Sequence, residues 1–186
     1  MTLVKQFDAA YPPASIPPGC QVAAGYIGRP GYTPHIWTPQ QWQPFKGLYQ
    51  VPIWVPDTSG NPAAESMAAC SAAKALGWAP HHADTRIIVF DLEQFADRDW
   101  WGQLAGSVAG EGFQAVPYGS LSTVLGNGAA EVWTADWDGD YTLQGGQTVE
   151  ATQYAANQSW DGTQVDYSAC SAWWASHAGT GPRWGA

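Results

Sequence analysis

Ile87-Ile88-Val89-Phe90 is an unbroken run of four β-favouring apolar residues, and it restricts the architectures open to this chain. A strand with one wet face alternates apolar and polar positions, whereas a run that is apolar throughout belongs to a strand covered on both faces. Strand and helix patterns alternate around it. Residues 3–7 read as a strand ending at Asp8, followed by the Pro-rich stretch 11–18 and a small-residue strand at 22–27. Thr38-Pro39 has the form of an N-cap with Pro at the first helical position, opening a helix to about residue 45. A strand at 48–55 comes next. Asn61-Pro62 opens an Ala-rich helix that Gly77 stops, then the strand 86–91 and a helix over 97–111. Residues 113–118 form a fifth strand, with a short helix after Ser120.

The rhythm then changes. Strands are predicted at 131–135, 149–154 and 164–167, joined by turn-rich segments too short for a crossover helix. A parallel pair takes about a dozen or more connecting residues, usually helical, so these last strands are expected to pair partly antiparallel, as hairpins. A final helix over 168–177 closes the chain. Five βα units and three further strands give an α/β fold, a shortened TIM-like barrel. A regular (β/α)₈ barrel takes about 250 residues, and this chain has 186, read as one domain spanning residues 1–186.

Parallel barrels carry their reactive side chains at the C-terminal ends of strands. On that reading Asp8 ends strand 1, Asp91 and Glu93 end strand 4, and Asp166 ends strand 8. Residues i and i+2 of a strand point the same way, placing Asp91 and Glu93 side by side with Cα atoms roughly 6.5–7 Å apart. Convergent carboxyls are what glycoside-bond hydrolysis uses; two solvated acids at a strand end are the plain alternative. Strands 1 and 8 are neighbours in a closed barrel, so all four acids are expected around one cavity, where mutual repulsion raises at least one pKa.

Composition narrows the ligand. Seven Lys+Arg against 16 Asp+Glu give a net charge of −9, which argues against nucleic acid and against anionic lipid. Twelve Trp suggest a groove in which some indoles stack on sugar faces while most pack between helices and barrel. No apolar stretch approaches the ~20 residues of a membrane span. No basic-then-apolar leader opens the chain, so cytoplasmic synthesis is expected. Cys20, Cys70 and Cys170 have no metal-ligand spacing and read as buried thiols, with one disulfide left open. Asp136-Trp-Asp-Gly-Asp140 lacks the Gly and Glu positions of a calcium loop and reads as a solvated turn. His81-His82 reads as surface. No cofactor and no metal are expected.

The ordered set of Asp8, Asp91-x-Glu93, Thr152-Gln-Tyr154 and Val165-Asp-Tyr167 resembles the glycoside hydrolase family 25 lysozymes, the muramidases and endolysins of bacteria and phages. Phe7-Asp-Ala-Ala-Tyr-Pro12 and Gly25-Tyr-Ile-Gly28 are similar to a related glycoside-hydrolase-like group of actinobacteria and their phages. The resemblance implies a barrel of five βα units plus three strands and cleavage of the β-1,4 bond between N-acetylmuramic acid and N-acetylglucosamine. It implies Glu93 as general acid, Asp91 assisting the substrate's acetamido group, and Asp8, Asp166, Tyr118, Gln153 and Trp133 as substrate-binding residues. The partner implied is peptidoglycan or another N-acetylated glycan, reached after phage-type release or as part of a virion among other virion proteins. Trp133-Thr-Ala-Asp136 departs from the family's strand-6 pattern in carrying an acid, which implies a different outer subsite. The net charge of −9 also repels an anionic wall. The competing expectation is a binding or virion-structural barrel with little turnover; a chitinase-like activity is a third.

Overall fold

The computed structural model describes residues 2–28, 35–78, 86–93, 95–146 and 148–179. Eight strands close into one barrel in sequence order: β1 (Val4–Ala9), β2 (Cys20–Gly28), β3 (Tyr49–Trp54), β4 (Arg86–Glu93), β5 (Phe113–Ser120), β6 (Val132–Ala135), β7 (Val149–Trp160) and β8 (Thr163–Cys170). Helices α1 (Pro39–Trp42), α2 (Pro62–Ala75), α3 (Arg98–Gly110) and α4 (Leu121–Gly126) lie on the connections from β2 to β6, and α5 (Ala172–Ala178) follows β8. The caps at Thr38 and Asn61 are those the sequence announces, and Asp97 adds a third. Asn61 accepts from the amides of Ala63 and Ala64, and Asp97 from those of Asp99 and Trp100. Thr38 forms a reciprocal capping box with Gln41. The chain is thus the expected α/β barrel.

The closing strands differ from expectation in one respect. β6 and β7 are parallel, joined through 136–148, whose described residues form no helix; the segment is long enough for a crossover. Only β8 runs antiparallel, to β7 on one side and β1 on the other. The link from β1 to β2 also lacks a helix, so the first βα unit of the expected five is a bare loop. The last helix starts at Ala172 because residues 168–170 still pair with β1 and β7.

Strand alternation divides the core in two. One set of side chains, including Phe7, Ile88, Phe90 and Leu92, faces the helices with Trp37, Trp42, Trp78 and Trp101. The other set fills the barrel: Val22, Ala24, Val51, Ile53, Ile87, Val89, Val116, Trp133 and Ala151, with Trp174 and Ala178 of α5 closing the floor. The Trp174 indole donates to Gln6 Oε1 at 2.8 Å inside the barrel. Cys20, Cys70 and Cys170 are buried free thiols. Most described Trp residues are packed, and Trp137, 66 % exposed, is the one open to solvent. No described helix is long and apolar enough to cross a membrane. His81 and His82 lie outside the described residues.

Candidate active site

The period of two that fills the barrel with apolar side chains ends, at its upper rim, in a layer of polar ones. On β1 it runs Gln6 then Asp8; on β2, Ala24 then Tyr26; on β4, Val89 then Asp91; on β5, Val116 then Tyr118; on β7, Ala151 then Gln153. β8 contributes Asp166 from the opposite direction. Because β8 runs downward, its C-terminal end lies at the floor, and Asp166 meets the rim midway along the strand, as the Cα partner of Asp8. The sequence-based reason for placing Asp166 there, that it ends its strand, does not hold; the placement does.

Hydrogen bonds knit this layer together. Gln153 Nε2 donates to Asp166 Oδ2 at 2.9 Å and to Asp8 Oδ2 at 3.5 Å. Gln153 Oε1 accepts from the Tyr118 hydroxyl at 2.5 Å and from the Trp137 indole at 2.8 Å. The Tyr26 hydroxyl donates to Asp91 Oδ2 at 3.4 Å, and the Asn157 amide donates to Asp166 Oδ1 at 2.6 Å. Asp8 Oδ1 and Asp91 Oδ1 are buried and receive no hydrogen bond. Orphaned acceptors of this kind cost stability unless something donates to them.

The electrostatics follow from burial and crowding. Asp8, 6 % exposed, is pushed well above the usual carboxylate range by burial, then by Asp166 and Asp91. Asp91 is raised to about 7 by burial and by the Glu93 charge, against the pull of the Tyr26 hydroxyl and the Glu93 backbone. Burial also raises Asp166, while the Asn157 amide and Gln153 hold it down. Burial foremost, with the surrounding carboxylates, pushes the Tyr26 and Tyr118 phenols far up, keeping them neutral donors.

Glu93 stands apart. It is exposed, and its backbone takes the left-handed region, with φ at +49°. The β4–β5 ladder slips there, Asp91 pairing with Tyr118 and Glu93 with the very next residue, Gly119. The expected simple i, i+2 alternation is therefore bent by a bulge, a device that re-aims a side chain. Gly119 permits it: a Cβ at that position would meet the Glu93 carbonyl oxygen at 2.4 Å. A non-glycine residue in this conformation costs of order 1–3 kcal/mol, which a functional position tolerates.

Two hollows open around Glu93. One, of about 500 Å³, is lined by Tyr26, His35, Val55, Asp91, Glu93 and Phe95 among others. The other, of about 380 Å³, is lined by Glu93, Tyr118, Gly119, Ser120, Ala135 and Trp137. A larger groove of about 520 Å³ lies on the outer wall between α3 and residues 127–131, away from every acid described here. The crowded carboxyls lie at the rim cleft.

Of the residues singled out from sequence, Asp8, Asp91, Glu93, Asp166, Tyr118 and Gln153 come together at the rim. Trp133 does not present a face to the cleft: it is 1 % exposed, donates to the Ser168 hydroxyl at 3.1 Å and packs beneath the Tyr118 ring. Its place as the rim aromatic is taken by Trp137, four residues on, which the acidic, turn-like composition of 136–140 obscured. Tyr26 and His35 were also missed. His35 packs edge-on to Tyr11, ring centres 4.9 Å apart, and lies 6.5 Å from the Tyr26 ring. For Tyr26 a signal existed, since it continues the inward series Val22, Ala24.

No family model matches the sequence, and no curated protein is similar to it in sequence. Solved structures are similar in shape. An uncharacterized protein of B. stearothermophilus superposes with a TM-score of 0.73 at 12 % identity, over 94 % of this chain and 99 % of that one. The muramidase of Acremonium alcalophilum gives a TM-score of 0.66 at 13 % identity, over 90 % and 93 %. The CTP1L endolysin gives 0.65 at 16 %, over 94 % of this chain and 69 % of its own. At such identities the likeness is one of fold.

Proposed function

We propose that this barrel is a peptidoglycan-directed glycoside hydrolase of the muramidase type, cleaving the β-1,4 bond between N-acetylmuramic acid and N-acetylglucosamine. The observation that carries the reading is the position of Glu93. It is the exposed carboxyl of the cluster, it borders both hollows, and its bulge aims it between them. A glycan lying across the rim places one sugar in each hollow and its glycosidic oxygen over Glu93. The resemblance of the ordered acid motifs to family 25 lysozymes and the fold shared with a muramidase and an endolysin support the same reading.

The roles follow from the surroundings. A sugar seated over Glu93 covers its exposed carboxyl and sets it against the glycosidic oxygen. Glu93 then protonates the leaving glycosidic oxygen. Asp91, one hollow-side neighbour away, has a buried oxygen without a partner and suits the N–H of the substrate's acetamido group. Oriented in this way, the acetamido oxygen attacks the anomeric carbon as the bond to the leaving sugar breaks. Water opens the cyclic intermediate with Glu93 taking the proton back, one of the exceptions to the two-carboxylate scheme. Asp8, Asp166, Tyr118 and Gln153 shape the polar base beneath, and Trp137 offers an exposed indole for a sugar face.

Glu93→Gln tests this. The variant keeps the shape and loses the proton, so hydrolysis of purified cell walls is expected to fall by about 10²–10⁴-fold with the melting temperature unchanged. Wall lysis that continues undiminished in Glu93→Gln would remove the proposal. Binding of wall glycan by the wild type without new reducing ends would replace it with a carbohydrate-binding or virion-structural barrel.

A further inference from the structure

Gln153 is 2 % exposed, and both ends of its amide are engaged by protein groups. An indole nitrogen donates and never accepts. The bond from Trp137 therefore dictates which end of the amide is oxygen, and the Nε2 end is left to face Asp8 and Asp166. These two acids are direct Cα partners across β1 and β8 and lean on the same nitrogen, yet they are treated unequally. Asp166 accepts on both oxygens, 2.9 Å from Gln153 and 2.6 Å from the Asn157 amide, the pattern that suits a carboxylate. Asp8 accepts one long bond at 3.5 Å, and its other oxygen is buried without a partner. Two carboxyls held this close share their protons.

We propose that Gln153 is a positioning residue that sorts the proton of this pair, fixing Asp166 as the charged member and Asp8 as the neutral one, and that Trp137 at the rim sets its orientation. The groups facing the pair agree. Asp91 of β4 adds negative charge toward Asp8, while Tyr26 of β2 and Tyr118 of β5 stay neutral, and Cys170 of β8 lies inside the same barrel as a buried thiol. Asp8 thus has the highest cost of ionising and the weakest support for a charge. The consequence is a coupling between the sugar platform and the proton inventory beneath it: anything that turns the Trp137 indole frees the amide to flip. As a statement about hydrolysis this rests on the muramidase-type reading; as a statement about protons it does not.

Carboxyl-carbon NMR on the full chain, followed from pH 4 to 9, reads the assignment directly. In the wild type Asp166 is expected to ionise first and Asp8 later, at least about one pH unit apart. Gln153→Met removes both N–H donors and is expected to draw the two midpoints together. Trp137→Phe, which keeps a ring at the rim and leaves the acids untouched, is expected to move them the same way by a smaller step and serves if Gln153→Met does not fold. Asp8 ionising before Asp166, or midpoints that stay in place in both variants, would overturn the assignment. On cell walls, Gln153→Glu adds a further carboxyl beside the pair and is expected to shift the alkaline limb of the rate profile upward by about one pH unit; a uniform loss at every pH would mark a merely structural residue and overturn it. A wild type that cleaves no glycan while its carboxyls titrate as stated would end the hydrolase reading and leave this one standing.

Discussion

The two ends of the barrel are built by the same alternation of side chains and obey opposite rules. At the floor, Trp174 of α5 is fully buried, stacks edge-on against Trp133 and hands its indole proton to Gln6. Gln6 and Ser168 are polar side chains set into an otherwise apolar, packed interior. At the rim, three crowded acids carry raised pKa values, two of their oxygens lack donors, and one glutamate sits on a strained backbone. The comparison teaches where this molecule keeps its stability and where it gives stability up. Natural proteins break local rules chiefly at functional positions, and the rim gathers raised carboxyls, orphaned oxygens and a strained glutamate on one face.

Three changes break or sharpen that contrast. Trp174→Ala opens a large void in the packed end and is expected to cost about 3–5 kcal/mol, read as a lower denaturant midpoint at unchanged slope. A loss under 1 kcal/mol would mean the floor is not where the barrel is held. Gly119→Ala drives a methyl against the Glu93 carbonyl and must flatten the bulge; a cost of about 1–3 kcal/mol is expected, together with reduced wall hydrolysis. Full activity in this variant would show that the bulge does not aim Glu93.

The third change is expected to stabilise. Asp91 is raised to about 7 when folded, against an ordinary carboxylate value of 3.8. Between those values the folded chain binds the extra proton, so stability is highest at acid pH and declines as pH rises toward 7. Asp91→Asn removes that penalty. It is expected to match the wild type near pH 4 and to exceed it by of order 1–3 kcal/mol near pH 8, a gain of roughly 2–4 °C in melting temperature per kcal/mol. A variant that is less stable than the wild type at pH 8 would show that Asp91 is supported by contacts that offset its burial.

How much of this was readable beforehand differs between local and long-range features. Caps at Thr38 and Asn61 depend on neighbours in the chain and were legible, as was the buried strand at Ile87–Phe90. The direction of β7 was not, because an irregular crossover at 136–148 has the composition of a hairpin turn. The four acids were found by assuming a rim, though Asp166 reaches it from a descending strand rather than an ascending one. Trp133 and Trp137 exchanged roles: four residues separate them, and only the end of β6 at Ala135 decides which indole is inside. Tyr26 and Gln153 show the deeper limit. Their importance lies in which atoms they touch across β2, β4, β7 and β8, and no periodicity within one strand encodes that.

The descending course of β8 has a practical corollary. Val4 begins β1 opposite Cys170, and Gly179 accepts a hydrogen bond from Gln50 near the start of β3, so both described ends of the polypeptide emerge beneath the floor. A linker that continues from the described ends, residues 2 and 179, therefore starts on the face away from the mouth. Copies could be planted side by side on a support with every opening turned outward.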